Sequence, residues 1–464
     1  MRASPRTTAT LVETVAGAIT DRIAGRHLAP GARLPSVRAF AEAMGVSKST
    51  VVEAYERLSA EGTIVARRGS GFYVAGPTRP LSLKAVGPQL DRAVDPLWIT
   101  RQSMQTGADL LRPGSGWMPT SWMPDPFVRR TLRTLARAPE TDVTGYDHPL
   151  GYGPLRQQIA RRLDERGVPA RPDQILLVDS ATQAVDLLCR FLLERGDTVV
   201  VDDPCYFNFH ALLRAHRATI VGVPLTPDGP DVEAFARILA EHRPRLYLTN
   251  SALQNPTGAT LAAATAHRVL KLAEAHDTLI IEDDIFRDFE PEPAPRLAGF
   301  DGLERVIQVG SFSKTLSAAV RCGYVAVRED WIEPLIDLKL AMSHGSGQLS
   351  ATLMHGLITD GTYRRHVVEL RGKLADAMGR TLRRLEGSGL TPWIEPRGGL
   401  FVWAQLPGGL DAGEIARRAL ARGVVLAPGA AFRPGAARSD FLRFNVARSG
   451  DPRVYAVLEA AMRG

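Results

Sequence analysis

The sequence predicts an α/β protein in which a small helical module precedes a large domain with a mainly parallel sheet. Apolar residues recur at helical spacing through the first 60 residues, and two short strand patterns follow them. Beyond residue 108, short apolar strands alternate with helical patterns, which is typical of a parallel sheet covered by helices. With 464 residues, of which 45% are hydrophobic and 23% charged, the chain is long enough for two or three domains.

Residues 8–76 are predicted to form three helices and a β-hairpin. The first helix carries an apolar stripe at helical spacing: Val12, Val15, Ile19 and Ile23. Ser36 can cap a second helix that ends at Gly45, and Ser47 can cap a third. The third helix has an inward stripe of its own: Val51, Tyr55 and Leu58. Residues 63–74 add two short strands around the basic turn RRGSG, so the pattern is that of a winged helix.

The positive charge of the chain is concentrated in this module. The net charge is +7, and residues 1–76 contribute +4, from ten Lys and Arg against six Asp and Glu. A basic module favours a polyanionic partner. Such a charge is also typical of a solvated surface, but in a helix-turn-helix with a wing it favours double-stranded DNA. A degenerate module that is kept for dimer contacts is the alternative.

Prolines interrupt the periodicity in residues 77–107, which we therefore predict to be a linker. The domain that follows, residues 108–464, contains six short strand patterns: Ile175–Val178, Thr198–Val201, Leu246–Thr249, Leu279–Ile281, Val306–Val309 and Tyr324–Val327. From about Trp331 the pattern changes to helices and a smaller α+β subdomain, in which a turn at Gly398–Gly399 leads into the strand Leu400–Trp403. The sequence thus predicts a winged helix, a linker, a mainly parallel α/β domain and a smaller C-terminal subdomain.

Polar residues follow five of these strands. In open α/β sheets, ligands bind at the carboxyl ends of the strands, so we expect these side chains at one rim of the sheet. The residues are Ser180–Gln183, Pro204 and Tyr206, Asn255–Gly258, Asp283–Asp284, and Ser311–Lys314. Together they supply what a cofactor with an aldehyde, a phosphate and a protonated pyridine nitrogen requires.

Each residue of this rim suits one part of such a cofactor. Lys314 can form a Schiff base with the aldehyde, and Asp283 can hold the proton of the pyridine nitrogen. Tyr206 can stack on the ring, although a tyrosine here is also typical of ordinary core, and Asn255 can donate a hydrogen bond to the ring oxygen. Hydroxyls, helix amides and a guanidinium can bind the phosphate: Ala181, Thr182, Ser311, Ser313 and Arg321.

The ordered motifs SAT, DDPCY, QNPTG, EDD and SFSKTLSAAVRCGY resemble those of the fold-type I aminotransferases, from about Tyr146 to the C-terminus. The resemblance implies pyridoxal 5'-phosphate as cofactor and a homodimer with the site at its interface. It also implies that Tyr146 reaches the phosphate of the neighbouring subunit, and that Arg443 in FLRFN pairs with a substrate carboxylate. A structural salt bridge is the alternative role of Arg443. Phe286 departs from the pattern, because related enzymes usually have tyrosine three residues after the aspartate.

The stretch LPSVRAFAEAMGVSKSTVVEAYERLSAEG, closed by RRGSGFYVAG, resembles the GntR winged helices. Its fusion to an aminotransferase-like domain resembles the MocR-type regulators. The resemblance implies DNA contacts from residues before the recognition helix, at its start and on the wing. These residues are Arg33, Arg38, Ser47, Lys48, Ser49, Thr50, Arg67 and Arg68.

Three functions follow as hypotheses. The first is a homodimeric, pyridoxal-phosphate-dependent transcriptional regulator, in which the cofactor, or a small amine or amino-acid effector reacting at Lys314, changes binding to a DNA operator. The second is an active aminotransferase that carries an accessory DNA-binding module. The third, a cofactor-free binding module, conflicts with the presence of Lys314 in its motif.

The cysteines and the N-terminal residues indicate the cellular compartment. Three scattered cysteines, Cys189, Cys205 and Cys322, form neither an even framework nor a CxxC pair, so we predict neither a disulfide nor a metal site. The first residues lack the apolar core of a signal peptide, and no apolar run approaches the roughly 18 residues of a membrane span. We therefore expect a cytoplasmic protein without a membrane partner.

Overall fold

The computed structural model describes residues 10–24, 28, 31–67, 70–75, 96–104, 110–138, 144–436 and 438–463. The chain divides into two compact units, residues 1–85 and residues 86–464. The first unit contains the predicted winged helix, and the second contains the predicted α/β region. Among the described residues, no helix has both the length and the apolar character that a membrane span requires.

The N-terminal unit contains three helices and a hairpin: α1 (Leu11–Ala24), α2 (Val37–Met44), α3 (Lys48–Ala60), β1 (Ile64–Arg67) and β2 (Gly71–Val74). Ser36 caps α2 by accepting a hydrogen bond from the amide of Ala39, and Gly45 ends α2 in the left-handed conformation. Ser47 caps α3 by accepting from the amide of Thr50. The two strands pair antiparallel, as a wing requires.

The apolar stripes of these elements meet in one small core. Its larger members are Val15, Ile19, Leu34, Phe40, Val51, Tyr55, Leu58, Ile64 and Val74. Tyr55 links the third helix to the rest of the unit, because its ring contacts Phe40 and Phe72 and its hydroxyl donates a hydrogen bond to the carbonyl of Pro35 at 2.9 Å. The predicted winged helix is confirmed, including the inward stripe of its third helix.

The large unit is built on an eight-stranded sheet. Its strands are β3 (Ile175–Val178), β4 (Thr198–Asp203), β5 (Thr219–Thr226), β6 (Gly229–Pro230), β7 (Leu246–Thr249), β8 (Leu279–Asp283), β9 (Val306–Ser311) and β10 (Gly323–Ala326). Their order across the sheet is β3-β10-β9-β8-β7-β4-β5-β6. Strands β9, β8, β7, β4 and β5 form parallel pairs in that order, whereas β10 is antiparallel to both of its neighbours. The predicted mainly parallel sheet is confirmed.

Both faces of this sheet are buried. In β3, Ile175 and Leu177 belong to one apolar core, whereas Leu176 and Val178 belong to another. Because successive side chains of a strand point to opposite faces, the run of four apolar residues fills both cores. The helices of the α/β region are α5 (Asp125–Leu135), α6 (Gly153–Asp164), α7 (Ala181–Leu192), α8 (Phe207–Ala215), α9 (Val232–His242), α10 (Ala263–Ala275), α11 (Leu297–Asp301), α12 (Ile332–Ser343) and α13 (Gln348–Thr359).

One helix lies inside the predicted linker. This helix, α4 (Pro96–Met104), begins with a proline, which is tolerated in the first turn because the amides there have no intrahelical partner. Ile99 is buried in an apolar core of the large unit that also contains Phe286. Residues 96–104 therefore fold with the large unit, and the linker prediction is wrong for this segment. The rest of the predicted linker, residues 77–95 and 105–107, lies outside the described residues.

The C-terminal part forms the predicted α+β subdomain. It contains a four-stranded antiparallel sheet and three helices: β11 (Thr391–Pro392), β12 (Phe401–Gln405), β13 (Ala427–Pro428), β14 (Phe441–Asn445), α14 (Gly361–Gly387), α15 (Ala412–Leu420) and α16 (Pro452–Arg463). The strand order is β11-β12-β14-β13. Arg443 lies in the middle of β14, where it pairs with Trp403 of β12. The subdomain thereby places Arg443 near the carboxyl ends of the strands of the large sheet.

Candidate functional site

A cavity of about 300 Å³ lies at the carboxyl ends of the central strands. Ten residues that the sequence predicts for a cofactor or effector line this one cavity: Ala181, Thr182, Tyr206, Asn255, Asp283, Ser311, Ser313, Lys314, Arg321 and Arg443. They come from the strand ends of the α/β region and from β14 of the subdomain. Residues that are far apart in sequence therefore meet at the rim where α/β sheets bind ligands.

Lys314 follows β9 and is partly buried in the cavity wall. Its Nζ donates a hydrogen bond to the carbonyl oxygen of Gly116 at 2.8 Å. Burial, followed by the nearby Arg443 guanidinium, lowers the pKa of Lys314 to about 8, although the Asp283 carboxylate acts in the opposite direction. A large fraction of this amine is therefore neutral near pH 8, and the neutral amine is the nucleophilic form.

Asp283 is the last residue of β8 and is buried. One carboxylate oxygen, Oδ1, accepts a hydrogen bond from the amide of Ile285 at 3.1 Å, and Asn250 holds the Asp283 carbonyl with a 2.6 Å hydrogen bond from its Nδ2. Burial raises the pKa of Asp283 to about 7, an effect that the neighbouring Asp284 increases. Within the described part of the chain, no cation lies at salt-bridge distance from this carboxylate.

The N-terminus of α7 forms one end of the cavity. Ser180 caps the helix by accepting a hydrogen bond from the amide of Gln183 at 3.1 Å, so the first-turn amides near Ala181 and Thr182 have no intrahelical partner. A β-carbon at Gly323 would lie 2.8 Å from the carbonyl carbon of Ser180. Glycine at that position in β10 therefore allows the helix end to lie directly against the sheet, where its amides and its dipole favour an anion.

The turn after β9 adds hydroxyl groups to this end of the cavity. The Oγ atoms of Ser311 and Ser313 lie 2.9 Å apart, and Ser311 also donates to the carbonyl of Cys322 at 3.1 Å. Arg321 is exposed, and one of its NH groups donates to the carbonyl of Ala318 at 3.2 Å. The helix amides, two hydroxyls and a guanidinium make this end of the cavity suited to a phosphate.

Arg443 and Asn255 form a fixed pair at another part of the cavity. Arg443 is fully buried, and its two terminal nitrogens donate to Asn255 Oδ1 and to the carbonyl of Gly114, both at 2.7 Å. Because a guanidinium only donates, the amide oxygen of Asn255 must face it, which leaves the Asn255 Nδ2 as the group that can donate to a ligand. The geometry thereby orients the Asn255 amide.

The guanidinium of Arg443 is held by aromatic rings rather than by acids. Its central carbon lies 4.3 Å from the ring centre of Phe401 and 4.8 Å from that of Phe432. Its Nε has no hydrogen-bond partner, and none of the described acids forms a salt bridge with it. Burial lowers the pKa of Arg443 to about 9. The alternative role of Arg443, a structural salt bridge, therefore has no acidic partner among the described residues.

Two of the aromatic residues that line the cavity, Tyr206 and Phe286, bear on its chemistry. Tyr206 immediately precedes α8, and burial raises the pKa of its phenol to about 12, so the phenol stays neutral at physiological pH. Phe286 is buried and packs edge-on against Phe401, with the ring centres 5.6 Å apart. Where Phe286 borders the cavity it offers only an apolar ring, so it supplies no hydrogen bond there.

Several lining residues escaped the sequence analysis. Asn250 directly follows β7, so the strand-end rule that found Asn255 also applies to it. Gly116 and four residues of α4 had no such signal, because they reach the cavity through the tertiary fold alone: Ile99, Thr100, Ser103 and Met104. Tyr146 lies outside this cavity and is 86% exposed, with its ring against that of His344.

The predicted DNA-contacting residues lie in the N-terminal unit. Arg33, Arg38, Lys48 and Ser49 are at least partly exposed, and so is Thr50. The hydroxyl of Ser47, which caps α3, lies 2.8 Å from that of Ser49 and 2.7 Å from that of Thr50. Arg68 and the side chain of Arg67 lie outside the described residues. Exposed cations before and at the start of α3 are what a recognition helix requires.

The comparison with known families identifies both units. Residues 122–460 match the family described as aminotransferase class I and II. The chain belongs to this family. Residues 11–74 match the bacterial regulatory proteins of the gntR family. The N-terminal unit of this aminotransferase-family chain is therefore a GntR-type DNA-binding domain, and the combination is consistent with the MocR-type pattern.

Relatives that match over most of their length are transcriptional regulators by name. The uncharacterized HTH-type transcriptional regulator YdfD of Bacillus subtilis is 28% identical over 459 residues, which cover 96% of this chain and 93% of the relative. The HTH-type transcriptional regulator NorG of Staphylococcus aureus is 27% identical over 384 residues, which cover 80% and 86%. The predicted class, a DNA-binding transcriptional regulator with an aminotransferase-family domain, is confirmed.

A solved structure with the same fold carries a derivative of the predicted cofactor. LysN, an α-aminoadipate aminotransferase from Thermus thermophilus complexed with N-(5'-phosphopyridoxyl)-L-leucine, superposes with a TM-score of 0.72 and 26% identity, covering 79% of this chain and 94% of LysN. Pyridoxal phosphate is therefore the cofactor of this aminotransferase-family protein. The cavity fits it, because no described cation forms a salt bridge with Asp283, the first amides of α7 have no intrahelical partner, and Lys314 is a partly buried amine in the same cavity wall.

Proposed function

We propose that this regulator senses an amine or amino acid through Lys314, and that occupancy of the cavity changes its affinity for an operator. The observation that carries the proposal is Arg443, a fully buried cation that has no acidic partner among the described residues and lies close enough to Lys314 to lower its pKa. Such a cation is costly to bury unless an anion pairs with it. An effector carboxylate would supply that anion.

The cavity residues take the following roles in this proposal. Bound pyridoxal phosphate supplies an aldehyde that reacts with amines and a ring that withdraws electrons. Lys314 would hold the cofactor covalently, Asp283 would keep a proton on the ring nitrogen and Asn255 would donate to the ring oxygen through its Nδ2. Tyr206 would pack against the ring. The α7 amides at Ala181 and Thr182, together with the side chains of Ser311, Ser313 and Arg321, would bind the phosphate.

A homodimer is the assembly that this proposal requires. Tyr146 is almost fully exposed and has no place in the cavity of its own chain, which supports a role at the neighbouring subunit's phosphate. Two chains related by a twofold axis would present two winged helices to paired half-sites of double-stranded DNA. A regulator that binds chromosomal operators works in the cytoplasm, which agrees with the predicted compartment.

The proposal is tested by operator binding with and without ligands. An operator selected from random DNA by the purified holoprotein is titrated by fluorescence anisotropy, alone and with a panel of amines and amino acids. We expect at least one ligand to change the operator affinity by about 5-fold or more, the lower end of common allosteric couplings. If a ligand alters the cofactor absorbance but none alters operator affinity, the sensing function is excluded and an enzymatic one is favoured.

Removing predicted DNA contacts is expected to separate the two units functionally. Arg38→Ala and Lys48→Ala should weaken operator binding and leave the cofactor absorbance unchanged, because neither residue lines the cavity. Loss of a phosphate contact should lower the slope of log binding constant against log salt concentration by about one. Loss of a base contact should reduce the binding free energy by about 1–3 kcal/mol. Arg57→Ala is the matched control, because Glu13 and Glu61 already pair with its guanidinium. Unchanged binding in both test variants would refute these contacts.

An active aminotransferase is the second candidate, because the cavity contains five residues of the aminotransferase pattern: Lys314, Asp283, Asn255, Arg321 and Arg443. Phe286 bears on the choice. Phe286→Tyr should place a phenol hydroxyl at the cavity, where it can hydrogen-bond the ring oxygen of the cofactor. The Lys314 nitrogen, once bonded to the cofactor, should then lose its proton at a pH lower by about 0.5–1 unit, as one hydrogen bond is worth about 1 kcal/mol.

A spectrophotometric pH titration of wild type and Phe286→Tyr checks this expectation, and a screen of amino donors measures turnover in both. Phe286→Leu is the control, since it changes the ring without adding a donor. An unshifted titration would remove the electrostatic argument. Turnover by the wild type in the enzymatic range of about 1 to 10³ per second would favour the aminotransferase over the sensor.

A further inference from the structure

We propose that Val52 is a specificity-determining residue of the DNA-binding domain, and that its side chain contacts the 5-methyl group of one thymine in each half-site of the operator. The inference rests on operator binding, which is one part of the proposed function, and does not depend on the ligand of the cavity. It assigns a base contact to an apolar side chain, whereas the DNA contacts that the GntR resemblance implies come from cations and hydroxyl groups.

Val52 lies on the exposed face of α3. The buried residues of this helix face the core of the unit: Val51, Ala54, Tyr55 and Leu58. Val52 follows Lys48 by four residues and Ser49 by three, so these three side chains are neighbours on the helix surface, and all three are exposed. Lys48 and Ser49 are the first two residues of α3. Val52 therefore lies in the N-terminal part of the helix, where recognition helices contact base edges.

The apolar side chain of Val52 is unusual on this face. Val52 is 40% exposed. Apart from Ala60 at the end of α3, the other exposed residues of the helix are polar or charged: Lys48, Ser49, Glu53, Glu56 and Arg57. A single exposed apolar residue is common on protein surfaces, so its exposure alone indicates no contact. However, an exposed valine also lowers helix stability relative to alanine, and an apolar partner for its methyl groups offsets that cost.

The charges near the start of α3 favour DNA as that partner. Residues 11–74 match the gntR family, and Arg33, Arg38 and Lys48 are exposed cations before and at the start of the helix. Cations position such a domain on the phosphates, while the side chains between them contact the bases. Further along α3, Glu53 and Glu56 carry charges that phosphates repel. The contact is therefore confined to the first turns of the helix, which include Val52.

The chemistry of valine selects thymine among the four bases. The 5-methyl group of thymine is the apolar group that the major groove presents, and the other recognition groups there are hydrogen-bond donors and acceptors. Val52 has neither a donor nor an acceptor in its side chain, so it would leave such a group without a partner. In a helix, a valine side chain has one strongly preferred rotamer. Its methyl groups can therefore contact the thymine methyl with little loss of conformational entropy.

Replacement of thymine by deoxyuridine tests the contact, because it removes the methyl group and keeps the hydrogen-bonding groups of the base. An operator is selected from random DNA by the purified holoprotein, and its thymines are replaced one at a time. Fluorescence anisotropy measures binding to each operator. At one thymine position of each half-site, we expect the wild type to lose about fourfold in affinity, the value of one buried methyl group. The absence of any such position would overturn the inference.

Val52→Ala shows whether the lost affinity belongs to Val52. Because the variant lacks the two methyl groups that make the contact, its affinities for the thymine and deoxyuridine operators should differ by less than about twofold. Leu11→Ala is the matched control, since it removes another exposed apolar side chain of the same unit from α1. This control should keep the fourfold difference. An undiminished difference in Val52→Ala, folded by circular dichroism, would overturn the assignment.

Val52→Arg tests the same assignment through a change of base preference. An arginine donates two hydrogen bonds to O6 and N7 of guanine, which is the commonest specific contact in the major groove. Selection from random DNA with this variant should therefore yield guanine where the wild type selects the deoxyuridine-sensitive thymine. Retention of thymine at that position would overturn the inference.

The outcomes separate this inference from the proposed function. Operator binding that no deoxyuridine replacement weakens would overturn the thymine contact and leave the sensing function intact. A deoxyuridine-sensitive operator whose affinity no amine or amino acid changes would support the contact and contradict the sensing function. Failure of the holoprotein to select any operator would overturn both.

Discussion

Lys314→Ala is expected to abolish covalent attachment of pyridoxal phosphate and to leave the protein folded. The amine of Lys314 is the one described lysine in the cavity lining, beside Asp283 and the α7 end. Borohydride reduction of the wild type followed by peptide mapping should place the adduct on Lys314. The variant should give no stable adduct and should lose the visible absorbance of the bound cofactor after dialysis.

Lys339 provides a closely matched control for this experiment. Lys339 is buried, its Nζ donates to the carbonyl of Pro149 at 2.8 Å, and burial lowers its pKa to about 8, as for Lys314. Because Lys339 does not line the cavity, Lys339→Met should retain the cofactor. An adduct on Lys339 would show that a low pKa, rather than the cavity, selects the lysine.

The pH dependence of cofactor capture follows from the same amine. Because the pKa of Lys314 is lowered to about 8 in the cofactor-free protein, its neutral form becomes abundant as the pH rises through 8. The rate of cofactor capture by cofactor-free protein should therefore rise between about pH 7 and pH 9 and then level off. If the lysine had an ordinary pKa near 10.4, the rate of cofactor capture would still increase above pH 9. Stopped-flow absorbance measurements decide between these profiles.

Much of the fold was predictable because its signals are local. Ser36 and Ser47 act as helix caps, which a serine before an apolar stripe already indicates. The strand Leu246–Thr249 has the predicted bounds, because a short apolar run between turn signals contains all the information that such a strand needs. In the cavity, the strand-end rule located Asp283, Asn255 and Lys314, since carboxyl ends of parallel strands share one rim.

The features that escaped prediction depend on contacts between distant parts of the chain. Lys314 donates to Gly116, which is 198 positions away in sequence, and no local pattern marks such a carbonyl. The helix α4 is short and begins at a proline that also fits a linker, so only burial of Ile99 in the large unit reveals it. For Arg443, the sequence suggested either a substrate carboxylate or a salt bridge. Its environment depends on Asn255 and on aromatic rings that the tertiary fold brings together.

Arg443→Met is expected to remove the preference for ligands that carry a carboxylate. In the wild type, L-norleucine should bind at least about 30-fold more tightly than 1-pentylamine, which is the same molecule without the carboxylate. This factor corresponds to about 2 kcal/mol, the lower end of the cost of leaving one member of a buried charge pair without its partner. The variant should bind the two ligands within about threefold of one another, because methionine offers nothing to either.

The comparison of two ligands makes this prediction independent of changes in stability. Arg443→Met removes a buried cation, which favours folding, but it also leaves Asn255 Oδ1 and the Gly114 carbonyl without their donor, which opposes it. Arg443→Lys keeps the charge and loses the two-pronged geometry, so its preference should fall between those of wild type and Arg443→Met. Calorimetric titrations of both ligands against the three cofactor-loaded proteins measure the ratios. A wild-type ratio near one would exclude Arg443 as the carboxylate site, whereas a high ratio that persists in Arg443→Met would assign carboxylate binding to another group.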